Sequence, residues 1–184
     1  MINKNISLLL SALLYFFLQF TACTYSGELK EVEATTNDGK IKYAVSFPDY
    51  MKLETEKTLN PNANLQYASF YRNIYAVVID QVQTTTNVSL TDYCQEEITA
   101  LEEVLKNPLR IDSTRIEVAS KTAYQIQLVG KVGEGEVEKR IYYRLVFFEA
   151  NQHLFQLVFW GWDERRDQYL KDFDKIVESF RLID

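Results

Sequence analysis

The chain has 184 residues, 47% hydrophobic and 25% charged, with a formal net charge of −6 at neutral pH. That length is one domain's worth. A negative surface repels phosphate backbones and offers no polybasic patch for anionic lipid, so nucleic acid is not an expected partner.

From Ile6 to Ala22 no residue is charged, but the run includes Ser7, Ser11, Gln19 and Thr21 and falls short of the ~20 apolar residues a span needs. A charged start at Lys4, an apolar middle and a small residue, Ala22, read as a secretory signal. An uncleaved signal anchor and a buried helix are the other readings. The second lacks an apolar stripe.

Thr21-Ala22-Cys23 resembles the lipobox of bacterial lipoprotein signal peptides, with Phe20 where Leu is usual. The resemblance implies cleavage before Cys23, lipidation of that cysteine and a lipid-anchored place in a bacterial cell envelope. Thr24 rather than Asp, by analogy with enterobacterial sorting, leans to the outer membrane. Loss of residues 1–22, with Lys4, takes the formal charge from −6 to −7.

Residues 23–39 are polar and read as a tether that pairs at most weakly near its end, with Asn37-Asp38-Gly39 as a turn. One globular domain over 40–184 follows. In "KIKYAVSF", Ile41, Tyr43, Val45 and Phe47 alternate with Lys42, Ala44 and Ser46, the pattern of a half-buried strand, and Pro48 ends it. "LQYASFY" and "IYAVVIDQVQ" form a hairpin across Arg72-Asn73.

The period then changes. Leu90, Cys94, Ile98, Leu101 and Leu105 make one helical stripe, capped by Ser89 and stopped by Asn107-Pro108. Residues 116–118 allow a short strand. From Lys121 three antiparallel strands follow, "KTAYQIQLVGKV", "VEKRIYYRLVFFE" and "LFQLVFW", with turns at "GEGE" and "ANQH". A last helix carries Tyr169, Leu170, Phe173, Ile176, Val177 and Phe180 on one side, with Asp163 as its cap.

Both faces of the last two strands are apolar, so both need cover. The predicted fold is therefore α+β: a twisted, mostly antiparallel sheet with a helix on each face.

Chemistry-bearing residues are sparse. Cys94 falls mid-stripe, as a small core residue would. His153, the one histidine, falls in the "ANQH" turn and reads as exposed. With no second histidine, triads and common zinc or copper constellations are hard to build. "GEGEVE" lacks a P-loop lysine and calcium-loop ligand spacing, and reads as an acidic turn. No cofactor or metal is expected, and no catalytic residues.

"FWGWDERR" stands out. Trp160, Trp162, Arg165 and Arg166 are interface-type residues. They either form a partner-binding corner, or the tryptophans close the core edge while the arginines pair with nearby carboxylates.

The order of elements is similar to the PsbP-like superfamily, including small bacterial lipoproteins of the DcrB type. The likeness rests on "SFPDY", "SLTDYCQEEITAL", "IYYRLVFFEANQHLFQLVFWGW" and "FDKIVESFRL", over residues 40–182. It implies an α/β/α sandwich and an accessory or assembly protein that docks on a larger complex. The leading expectation is a membrane-anchored, non-catalytic protein-binding module. The rival is a small-ligand carrier or sensor with an aromatic-lined pocket between sheet and helix.

Overall fold

The computed structural model describes residues 27–82 and 88–183, so the leader and Cys23 lie outside the described residues. The chain runs β1 (Leu29–Thr35), β2 (Lys42–Pro48), β3 (Lys52–Leu53), β4 (Leu65–Ser69), β5 (Ile74–Val82), α1 (Leu90–Val104), β6 (Lys106–Val118), β7 (Lys121–Val132), β8 (Lys139–Ala150), β9 (His153–Trp162), α2 (Arg166–Ser179) and β10 (Arg181–Ile183). No helix among the described residues is long and apolar enough to cross a membrane.

Seven strands form one antiparallel sheet in the order β3-β4-β5-β9-β8-β7-β6. Opposed residues of an antiparallel pair share a face, so the register sorts the side chains. Leu128, Leu145, Phe147, Leu154 and Val158 point to one side. There Tyr93, Cys94, Ile98 and Leu105 close over them from α1 and its C-cap. Ala76, Tyr142, Val146, Phe148, Phe155, Leu157 and Phe159 point to the other side, the larger core.

That second face is too wide for one helix. The predicted pairing of one sheet with one helix per side is completed by a separate three-stranded sheet, β1-β2-β10. It lies beside α2 and turns Tyr43, Val45 and Phe47 onto the large sheet. Phe47 stacks on Tyr67 at 3.9 Å, and Phe159 on Phe173 of α2 at 5.0 Å.

Three local expectations change. The segment read as a tether contains β1, which pairs with β2 from Leu29↔Pro48 to Thr35↔Lys42. Its few apolar residues, Val32 and Ala34, pack on the core. Asn107-Pro108 does not stop α1. The helix ends at Val104, and Pro108 sits in β6, a 13-residue edge strand where a missing N–H is tolerated. Finally, Asp163 does not cap α2. It begins a 3-10 turn and pairs with Arg140 at 2.9 Å, while α2 starts after Arg165 without a side-chain cap.

Ser89 caps α1 as expected: its Oγ accepts from Asp92 N at 3.1 Å. The acidic turn is a 3-10 turn at Gly135–Val137, with Gly133 at φ 88° and Gly135 at φ 57°.

Phe155 has no exposed surface and meets Tyr43, Phe148 and Phe180 where the two sheets pack. Phe155→Ala should cost about 3–5 kcal/mol, read as a lowered midpoint in urea unfolding. Ser89→Ala, which removes one cap, should cost only about 1 kcal/mol in the same measurement.

Candidate functional site: an aromatic shelf and a polar cleft

The end of β9 builds the first site. Trp160 and Trp162 alternate with Gly161, so both face the α1 side. Trp160 lies opposite Tyr75 on β5 and Tyr143 on β8, and stacks on them at 5.2 and 6.4 Å. Phe70 meets Tyr75 edge-on at 5.8 Å. Helix α1 packs against β6, β7 and β8. At this end the aromatic rings themselves, half-buried, form the shelf.

Trp162 sits between two cations, Lys139 Nζ at 5.3 Å and Arg165 Cζ at 5.2 Å from its ring centre. Arg165 is exposed. Arg166 parts from this group. Its guanidinium lies over Tyr142, on the opposite face of the sheet, and its Nε is 3.7 Å from Asp163 Oδ1. The four residues singled out in the sequence thus divide. Trp160, Trp162 and Arg165 share the shelf, and Arg166 takes the carboxylate-pairing role.

Gly161 makes the corner tight. A Cβ there would lie 2.9 Å from Tyr169 Cζ and 3.1 Å from Asn73 O, and Tyr169 donates its hydroxyl to Trp162 O at 3.0 Å. The α2 start is thereby pinned to the strand end that carries the tryptophans.

The second site lies at the other end of the strands. The Asn37-Asp38-Gly39 turn forms as expected, with Gly39 at φ 76° and its N–H donating to Thr36 O at 2.8 Å. Asn37 N donates to both carboxylate oxygens of Asp80 at 3.2 Å, and Asp80 N donates to Asn64 Oδ1 at 3.1 Å.

His153 contradicts its reading as an exposed turn residue: it is 2% exposed and is the first residue of β9. Its Nε2 is 3.4 Å from Asp38 Oδ2 and its Nδ1 is 3.7 Å from Asp80 Oδ2. The "ANQH" turn closes one residue earlier than the sequence indicates, with Asn151 and Gln152 at positive φ. The fourth residue, His153, therefore enters the core face of the sheet. Each ring nitrogen faces a carboxylate.

Beside this cluster a cleft of about 590 Å³ opens between the sheet, α1 and the 57–62 loop; Asn37, Asp80, Gln81, Tyr93, Glu97 and Gln156 line it. Tyr93 donates its hydroxyl to Gln156 Oε1 at 3.3 Å. The cleft occupies the place expected for an aromatic-lined pocket, yet its lining is polar. Among the described residues, Tyr93 is the one aromatic residue of that lining.

Burial raises the Asp80 carboxyl above its ordinary range, more than the Asn37 and Asn64 hydrogen bonds lower it. Burial likewise raises Glu97, against a hydrogen bond from Gln156. Asp38 goes the other way. Some burial raises it, but hydrogen bonds from Thr36 and Lys40 hold it near 2. Burial pushes the Cys94 thiol up to about 12, as its place in the α1 stripe implies. No three His, Cys, Asp or Glu side chains among the described residues converge enough to hold a metal ion.

Residues 34–182 match the family described as PsbP-like protein. The chain belongs to that family. Its PsbP-like fold is shared with solved structures of low identity. The cyanobacterial PsbP (CyanoP) of Synechocystis sp. PCC 6803 is 14% identical, with a TM-score of 0.58 over 90% of this chain and 99% of its own. LpqN of Mycobacterium tuberculosis, involved in cell envelope biogenesis, is 13% identical, with a TM-score of 0.53 over 90% and 97%. A mutant of the protein Mog1 is 8% identical, with a TM-score of 0.55 over 84% and 97%. No curated protein matches in sequence. At these identities the likeness concerns the fold. The finer resemblance to DcrB-type lipoproteins rests on the sequence words alone.

The raised Asp80 has a definite sign. A carboxyl whose folded pKa lies above its unfolded one favours folding at low pH, and that contribution is lost as pH rises through the folded pKa. Asp80→Asn removes this term. The melting temperature of the variant minus that of the parent should therefore be more positive at pH 7 than at pH 4, measured by scanning calorimetry.

Proposed function

We propose that this PsbP-like protein is an envelope lipoprotein, anchored through acylated Cys23, whose domain is a non-catalytic accessory or assembly module for a protein partner. The observation that carries the reading is the shelf. Tyr75, Tyr143, Trp160 and Trp162 lie half-buried together at one sheet end, with exposed Arg165 on the Trp162 ring. Trp, Tyr and Arg are the residue types that dominate interface hot spots.

Supporting it are the Thr21-Ala22-Cys23 lipobox pattern, and the envelope-biogenesis role given for LpqN, a protein of the same fold. The anchor raises the local concentration of the domain near membrane partners. Thr24 leans to the outer membrane as its site. A second reading, capture of a small ligand, is favoured by the cleft at Asp80, Glu97 and Gln156. The polar lining points to a hydrogen-bonding ligand rather than an apolar one.

Crosslinking and pull-down of the tagged full-length protein from native membranes test the reading. One recurrent partner is expected. Trp162→Ala with Arg165→Ala should cut its recovery about tenfold or more and leave the melting temperature within a few degrees. Cys23→Ala should abolish acyl labelling and leave a larger precursor on gels. Labelling that persists in this variant removes the anchor, and unchanged recovery in the double variant removes the shelf.

A further inference from the structure

The two ends of the molecule differ in kind. One end collects the 69–74 turn, the Gly133–Glu138 turn, the start of β6, the β9–α2 junction and the start of β1. The ladder partners Ile74↔Gly161, Ile141↔Trp162, Val132↔Lys139 and Lys106↔Lys131 bring the elements of the large sheet together there. Gly27 ties the start of β1 to it. A Cβ on Gly27 would lie 2.8 Å from Tyr50 Cδ1, and Arg72 of the 69–74 turn lies 4.0 Å over the Tyr50 ring.

Eight large hydrophobic side chains are exposed among the described residues, and five of them, Leu29, Phe70, Tyr71, Val104 and Val137, belong to this end. Tyr71 is 93% exposed and Phe70 59%. The opposite end carries Asn37, Asp38, Asn62 and Asp80 and the polar cleft.

The chain enters the domain at the apolar end. Cys23 precedes Gly27 by four residues, a length that reaches about 14 Å when fully extended. If Cys23 holds the acyl chains, as in the function proposed above, the end bearing Leu29, Phe70 and Tyr71 is kept within that reach of the bilayer. Tyrosine and tryptophan favour the headgroup level, where the polar part of the ring is wet and the rest dry, and Phe70 adds apolar surface beside Tyr71. Of the cations there, Arg140 and Arg166 pair with Asp163 and Lys131 with Glu138, Lys139 and Arg165 lie on the Trp162 ring, and exposed Glu134, Glu164 and Asp167 add negative charge beside them. A zwitterionic surface therefore suits this end better than a strongly anionic one.

We propose that the Phe70–Tyr71 turn, with Leu29 beside the chain entry, is a lipid-contacting tip that seats the domain on a zwitterionic bilayer and points the polar cleft away from it. The inference rests on the anchored reading. It adds the bilayer surface as a second contact beside the acyl chains, with the aromatic shelf lying just above it.

The test uses the acylated full-length chain in phosphatidylcholine vesicles with brominated acyl chains. Tyr71→Trp places a fluorophore at the tip and Asn62→Trp at the opposite end, each read against the parent's own tryptophan emission. Bromine quenching of the added signal should be at least twofold greater at position 71 than at 62, and Phe70→Ser in the Tyr71→Trp chain should reduce it. Equal quenching at the two positions, or none at 71, overturns the tip. A protein crosslink from position 71 in native membranes would then assign that surface to a protein instead.

The mass of the purified chain reports the acyl group separately. If Cys23 is unmodified, the anchored reading fails. Its thiol is then coupled to a maleimide lipid, Cys94 being buried, and the quenching is read unchanged on a chain held at the same point.

Discussion

The structure depends on one constraint: β8 and β9, at the centre of the large sheet, are apolar on both faces. Neither face can meet water, so the sheet has to be covered twice. Helix α1 and its C-cap cover one face, from Tyr93 to Leu105. The other face takes α2 and the three-stranded sheet together, because its rings, Tyr142, Phe148, Phe155 and Phe159, spread further than one helical stripe reaches. Among the described residues one cation on that face is buried, Arg144, and Asp174 of α2 and the Tyr142 hydroxyl accept from it.

From that double cover follows the division of the surface. The covering elements leave both ends of the strands open. One end is closed by aromatic rings and the tight Gly161 corner, the other by the hydrogen-bonded turn around Asp80 and His153. The first has the chemistry of an interface, the second that of a hydrogen-bonding recess. In the second, the imidazole of His153 is turned to two carboxylates.

Elements with a clear period were legible from residues alone. The stripe of α1, its Ser89 cap, the β7–β8–β9 meander and the alternation of β2 all express local rules that the packing reinforces. β6 and β1 were not legible. Pro108 and Asn107 are breaker signals inside most elements, and only the knowledge that β6 is an edge strand makes them tolerable. β1 carries just Val32 and Ala34 as inward residues, too weak a signal to separate from a tether. Trp160, Trp162 and Arg165 are legible because Trp and Arg are conspicuous, whereas Tyr75 and Tyr143 join them only through strand pairing. The Asp38–His153–Asp80 cluster joins residues far apart in sequence, and no spacing rule could have placed a turn-flanking histidine in the interior.

The three-stranded sheet has a consequence for the life of the chain before it is folded. Its middle strand, β2, is flanked by β1 on one side and by β10 on the other, and Arg181 bonds back to Glu31 across 150 residues. The first and last strands of the domain are thus structural neighbours of the same partner. The larger core cannot close until residues 180–183 are available, since Phe180 at the start of that stretch stacks on Tyr43. A chain whose residues 180–183 are still inside a ribosome or a translocation pore lacks β10, so its native state is out of reach until they emerge. The topology thereby delays folding until that strand is free, and a chain lacking residues 180–183 would lose the contact that ends its time as an unfolded passenger.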